Sequence, residues 1–162
     1  MGLSKKKNKI AIVMGSSSDY KIMKNAEAIL KILNVPFETM IVSAHRTPDR
    51  MYKFAKEAEK KYRVIIAGAG GAAHLAGMIA SLTQIPVIGV PVETKSLKGL
   101  DSLLSVVQMP KGVVTGTVAI NNSFNAGLLA SEILSLFDKK IYLSLKKFRK
   151  KQTKSIKKKP IL

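Results

Sequence analysis

A chain of 162 residues is long enough for one domain with a proper core and too short for two. It has no cysteine, which excludes disulfides, thiolate catalysis and thiolate metal sites; no apolar run approaches the ~18 residues of a membrane span, and residues 1–9 lack the apolar core of a secretory signal, so the cytoplasm is expected. The net charge of +18 sits at the ends: residues 1–9 hold four lysines and residues 139–162 ten lysines with Arg149 and no acid, while residues 10–138 set thirteen basic against ten acidic side chains.

The nearly balanced middle predicts one α/β domain over residues 10–150 that includes a C-terminal helix. A basic extension, residues 1–9, and a lysine-rich tail, residues 151–162, flank it and are expected to be solvated, the tail without order. A basic tail can hold polyanions by counterion release. No aromatic ladder or base-reading motif accompanies the charge, so a nucleic-acid partner is not expected.

Runs rich in Ile and Val alternate with amphipathic segments, the pattern of strands buried on both faces and covered by helices. Residues 10–14 predict the first strand. Residues 19–33 predict a helix with Ile22, Met23, Ala26, Ile29, Leu30 and Leu33 on one stripe, ended by Asn34-Val35-Pro36. A second strand over 37–42 precedes a helix that Pro48 opens and that runs to 61; proline in the first turn removes no hydrogen bond. A third strand over 63–67 and a small-residue loop over 68–73 lead to a helix over 74–82. Then follow a strand over 85–90, a helix over 100–108, a strand over 112–120 and a helix over 125–137. Residues 143–151 extend that helix after a break, with disorder from 153 onward. Successive strand–helix units without a hairpin signal make a doubly wound parallel sheet, by the right-handed crossover rule.

Ligands of such sheets bind beyond the carboxyl ends of the strands, where strand order reverses. Three unusual loops fall there, and they contain both histidines of the chain. In Ser43-Ala44-His45-Arg46-Thr47-Pro48 a ring that titrates near neutrality stands beside a fixed cation that forks onto phosphate or carboxylate oxygens. Gly15-Ser16-Ser17-Ser18-Asp19 places hydroxyls at a helix start, where free backbone donors attract an anion; plain capping by Ser18 or Asp19 is the alternative. Asp19 suits sugar hydroxyls better than phosphate, since two anions repel.

Gly68-Ala69-Gly70-Gly71-Ala72-Ala73-His74 fits the form of a dinucleotide loop, with Glu93 at about the right distance. That fingerprint belongs to the first strand–helix turn, however, and here it follows the third strand. The small residues also let the backbone approach a flat ligand closely, with His74 bonding either to the ligand or within its own loop. Two isolated histidines with scattered carboxylates make no metal spacing, and there is no G-x-S-x-G elbow for serine hydrolysis. What remains is proton transfer on a small phosphorylated molecule.

Taken in order, Gly15-Ser-Ser-Ser-Asp19, Ser43-Ala-His-Arg-Thr-Pro48, Ala67-Gly-Ala-Gly-Gly-Ala-Ala-His74 and Asp101-Ser-Leu-Leu-Ser-Val-Val-Gln-Met-Pro110 closely resemble the N5-carboxyaminoimidazole ribonucleotide mutase family of de novo purine biosynthesis. The likeness runs over residues 10–137. It implies a flavodoxin-like three-layer αβα sandwich, a homo-octamer with sites at subunit junctions, and neither metal nor organic cofactor. It implies a carboxylate shift from N5 to ring carbon C4 by release and recapture of carbon dioxide, with His45 as the acid/base at C4. Arg46 would bind the 5'-phosphate with Ser18 and Ser43, Asp19 the ribose hydroxyls, and Ser16 with the Gly70-Gly71 backbone the base and carboxylate.

A sister class carboxylates aminoimidazole ribonucleotide directly and reads Ser-Ala-His-Lys-Gly-Pro in the second loop; Arg46-Thr47 here favours the mutase. Ala76 and Val114 stand where the family commonly has proline, and Asn121 where it has glycine. These changes bear on stability and loop closure, since a lost proline raises unfolded-chain entropy. A non-catalytic polyanion-binding module is the reading from a different class, opposed by the intact Ser16, Asp19, His45 and Arg46.

Overall fold

A computed structural model describes residues 8–157 and Lys159. Strands β1 (Ile10–Met14), β2 (Phe37–Ile41), β3 (Val64–Gly70), β4 (Val87–Val92) and β5 (Gly116–Thr117) pair in parallel in the order β2-β1-β3-β4-β5. Helices α1 (Tyr20–Leu33), α2 (Pro48–Lys61), α3 (Leu75–Ala80), α4 (Leu100–Val107), α5 (Ser123–Ser135) and α6 (Lys139–Ser155) cover both faces.

The period-two rule of strands decides which side chain meets which layer. Ile10, Ile12 and Met14 of β1 pack with Val64, Ile66, Ile88 and Val90 under α1, α5 and α6. Ala11 and Val13 point the other way, with Ile65, Ala67 and Val87, under α2, α3 and α4. Every residue of β1 is buried, which explains the unbroken apolar run that marked it in the sequence. The result is the expected three-layer αβα sandwich around a doubly wound parallel sheet.

α3 is shorter than its expected 74–82, and β4 and α5 are each displaced by two residues from 85–90 and 125–137; three elements differ more, each for a local reason. β3 runs on to Gly70, into what reads as a loop, because Gly68, Ala69 and Gly70 continue the register against Val90, Pro91 and Val92. Their smallness answers close packing: a Cβ on Gly68 would lie 2.3 Å from the Met23 sulfur. β5 shrinks from the expected 112–120 to two paired residues. Val113 N–H turns back to the Pro110 carbonyl at 3.2 Å, Gly112 has a left-handed φ of 100°, and Val114 stands 79% exposed, so the β-branched pair lies outside the sheet, at and just after a turn.

α6 is the largest correction. It begins at Lys139 and runs unbroken to Ser155, so the boundary expected after residue 150 falls inside a helix. Asp138 caps it, its Oδ1 accepting from the amides of Lys140 (2.9 Å) and Ile141 (3.4 Å) while its Oδ2 accepts from Asn8 Nδ2 at 2.8 Å. Ile141 and Leu145 are buried, and Phe148 packs on Phe124 with ring centroids 6.2 Å apart. An i, i+4, i+7 apolar stripe among the lysines is what orders this segment. Residues 1–7, 158 and 160–162 of the expected extension and tail lie outside the described residues.

Candidate active site

β1 lies between β2 and β3, and the helices that follow β1 and β3 leave to opposite faces of the sheet. The carboxyl ends of these two strands therefore open a crevice, bridged at its base by Gly15 N–H donating to the Gly68 carbonyl at 3.2 Å. A cavity of about 490 Å³ occupies it. The loops after β1, β2, β3 and β4 form its wall.

The first loop is a capping box. Ser16 is extended at φ −154°, its Oγ accepts from Ser18 N–H at 3.4 Å, and its own N–H donates to Asp19 Oδ2 at 3.0 Å. Ser18 Oγ donates to Ser16 Oγ at 3.1 Å. Capping is thus present but its cap residue is Ser16, not Ser18 or Asp19 as the alternative had it, and it fixes the groups proposed for the ligand rather than competing with them: Ser16, Ser18 and Asp19 all line the cavity. Burial pushes the Asp19 carboxyl above its ordinary range, against the opposing pull of the Ser16 amide, the Ser18 hydroxyl and the Arg46 guanidinium.

The second loop is tied by Thr47, whose Oγ1 accepts from Ser43 N–H and donates to Ser43 O, each at 3.0 Å. That turn aims His45 and Arg46 into the same cavity. Arg46 Nη2 donates to the Gly15 carbonyl at 2.7 Å and Nε to Ser43 Oγ at 3.4 Å. Its Nη1 has no partner among the described residues, and the group is solvent-exposed. A guanidinium braced on one edge and open on the other suits an arriving oxyanion.

In the third loop, Gly70 lines the cavity and a Cβ there would press on the Val92 carbonyl at 3.2 Å. Gly71 adopts φ 70°, a left-handed turn, and its N–H donates to Ser102 Oγ at 2.8 Å. That amide is committed within the protein, and Gly71 is not among the lining residues. His74 also stands outside the lining, where its Nδ1 shares a hydrogen bond of 3.0 Å with His45 Nε2, the rings edge to face at 85°. One of these nitrogens holds the proton and the other accepts it, so the pair fixes the orientation of the His45 ring.

Of the residues singled out in the sequence, Ser16, Ser18, Asp19, Ser43, His45, Arg46 and Gly70 line one cavity, while Gly71 and His74 stand outside its lining. The fourth wall was not foreseen as part of the site, although Glu93 had been noted for its distance from the glycine motif. Glu93 and Thr94 follow β4 and line the cavity; Asn121 Nδ2 donates to Glu93 Oε2 and its Oδ1 accepts from Glu93 N–H, both at 2.9 Å. Thr94 Oγ1 donates to Asp101 Oδ2 at 2.9 Å, and buried Ser102 joins Gly71 to the Val92 carbonyl, to which it donates at 2.6 Å. The signal was present in the Asp101-Ser102 motif, a polar pair in the first turn of α4. Among the described residues no three His, Cys, Asp or Glu side chains gather as a metal site.

The AIR carboxylase family model matches residues 9–155. The chain is 55% identical to the N5-carboxyaminoimidazole ribonucleotide mutase of Haemophilus influenzae, over 91% of this chain and 92% of that one. It is 57% identical to the protein of the same name from Saccharolobus solfataricus, over 86% and 89%. Among solved structures, Treponema denticola PurE superposes with a TM-score of 0.82 at 30% identity, over 90% of this chain and 92% of that one.

Proposed function

The chain belongs to the AIR carboxylase family, and from that membership we infer that it is an isomerase of purine biosynthesis, converting N5-carboxyaminoimidazole ribonucleotide to 4-carboxy-5-aminoimidazole ribonucleotide. The observation that carries this reading is the convergence of His45, Arg46, Asp19 and Ser16 on one cavity, in a chain whose matched relatives bear the name of that mutase.

The chemistry balances around a single proton. Breaking the N5–carboxylate bond releases carbon dioxide and leaves an amine that takes up a proton; forming the C4–carboxylate bond expels the proton carried by C4. His45 is the group we assign to that exchange, donating in the first half and accepting in the second. Arg46, with Ser18 and Ser43, would hold the 5'-phosphate, so that binding energy at a remote group presses the imidazole ring of the substrate against His45. Asp19 would accept from the ribose hydroxyls. Ser16 and the Gly70 backbone would meet the base, with Gly71 and His74 acting from behind them.

Carbon dioxide must not diffuse away before recapture, which calls for a sealed cavity. We infer a homo-octamer whose neighbouring copies complete the seal. Leu97, Leu100, Leu104 and Val107, on and just before α4, all stand 44–57% exposed, an apolar row that supports such burial. A monomer by sedimentation at micromolar concentration would sink the assembly. Among the described residues no helix is long and apolar enough to cross a membrane, and we place the protein in the cytoplasm.

The test of the reaction is a paired assay, one arm supplying the N5-carboxylated ribonucleotide and the other aminoimidazole ribonucleotide with bicarbonate. Faster conversion of the carbamate is expected. Preference for the decarboxylated substrate would move the chain to direct carboxylation, and silence in both arms would remove the enzymatic reading.

A further inference from the structure

We propose that the outer face of α6 binds the phosphate backbone of nucleic acid without regard to sequence, a second activity unconnected with the cavity. Residues 139–157 carry nine basic side chains and no acid, whereas residues 10–138 carry a net charge of only +3. Lys146, Lys147, Lys150, Lys151 and Lys154 are all exposed. They lie opposite or flanking the buried stripe of Ile141, Leu145 and Phe148, and cations recur about every 6 Å along the axis at four-residue spacing.

This array works against its own helix. Lys146, Lys150 and Lys154 form successive i, i+4 pairs of like charge, as do Lys147 and Lys151, and each such pair destabilises an isolated helix. Order comes instead from the Asp138 cap, the buried stripe and an ion pair from Arg149 to Glu132 of α5. The protein therefore presents a rigid, self-repelling row of ammonium groups, and a polyanion relieves that repulsion.

The chemistry of the face selects among polyanions. Surface insertion into a lipid bilayer needs a free apolar stripe, and here that stripe is buried against the body. The exposed apolar side chains of this segment, Tyr142, Leu143 and Ile156, stand at its two ends. Phe148, the aromatic among the lysines, packs against the core, which leaves Tyr142 near the start of the helix as its one exposed ring and no ladder of rings on which successive bases could stack. Contact is therefore chiefly with phosphates.

The experiment is anisotropy titration of the full chain against a labelled single-stranded oligoribonucleotide over a range of salt. Neutralising about five phosphates predicts a slope of log K against log salt of about −3.5, which is about a hundredfold loss of affinity between about 50 and about 200 mM. The variant K146Q/K147Q/K150Q/K151Q/K154Q keeps helix-forming side chains; it should lose most of that slope while converting substrate at the parent rate, which also certifies its fold. The corresponding Lys→Arg variant should retain the slope. The proposal is overturned by a parent that fails to bind at low salt, by a Gln variant with the parent's slope, or by preference for anionic vesicles over RNA.

Discussion

Asparagine at position 45 should leave a protein that binds ribonucleotide and scarcely turns it over. The amide matches the imidazole roughly in size and hydrogen-bonding reach, but it neither takes up nor gives a proton near neutrality. General acid–base catalysis by a positioned side chain contributes about 10²–10⁴-fold, and kcat should fall by that factor. His45 is exposed at the cavity mouth, and the partner it would abandon, His74, is exposed too. Fold stability should change little, because no buried polar group is stranded. Steady-state kinetics beside an equilibrium titration with product separate the two effects. A variant turning over near the parent rate would take His45 out of the path of the proton.

Arg46→Ala should show the opposite division. The guanidinium is braced by the Gly15 carbonyl and Ser43 Oγ, with its Nη1 edge open to the cavity. Hydrogen bonds to charged groups contribute about 1.5–3 kcal/mol each, which corresponds to about a 10- to 100-fold rise in KM with a smaller effect on kcat. Lysine at this position keeps the charge and loses the fork, and should fall between alanine and parent. An alanine variant with unchanged KM and depressed kcat would place Arg46 at the reacting atoms instead of at the phosphate.

The sheet and most of the cavity were legible because both rest on local signals. β1 announces itself as an uninterrupted apolar run, α2 by Pro48 and a charged outer face, and the loops by clusters of small, hydroxyl and titratable residues between the apolar runs. What escaped depends on partners far away in the chain. Gly68 and Gly70 read as loop residues because their need for smallness comes from Met23 and Val92. Val113 and Val114 read as strand because β-branching favours pairing, yet the chain turns there before any neighbour is within reach. The order of residues 151–155 follows from a helix anchored further back by Ile141, Leu145 and Phe148, in a lysine-rich tail whose composition predicts disorder. Glu93 was noticed only for its distance from a glycine motif; its place in the wall depends on Asn121, twenty-eight residues on.

The sideways path of the chain also governs how long the protein survives. Ile10 pairs on one side with Phe37 and on the other with Val64, and Ala67 in turn with Gly89. Ser16, His45, Gly70 and Glu93 meet only after those distant pairings have closed, a class of contact that forms late and slowly. A partly folded chain therefore has nothing with which to hold a ribonucleotide. Ligand binds the native state alone and lowers the unfolded fraction by mass action. When the precursor is abundant the enzyme that consumes it should therefore resist proteases, and it should lose that resistance when the precursor runs out.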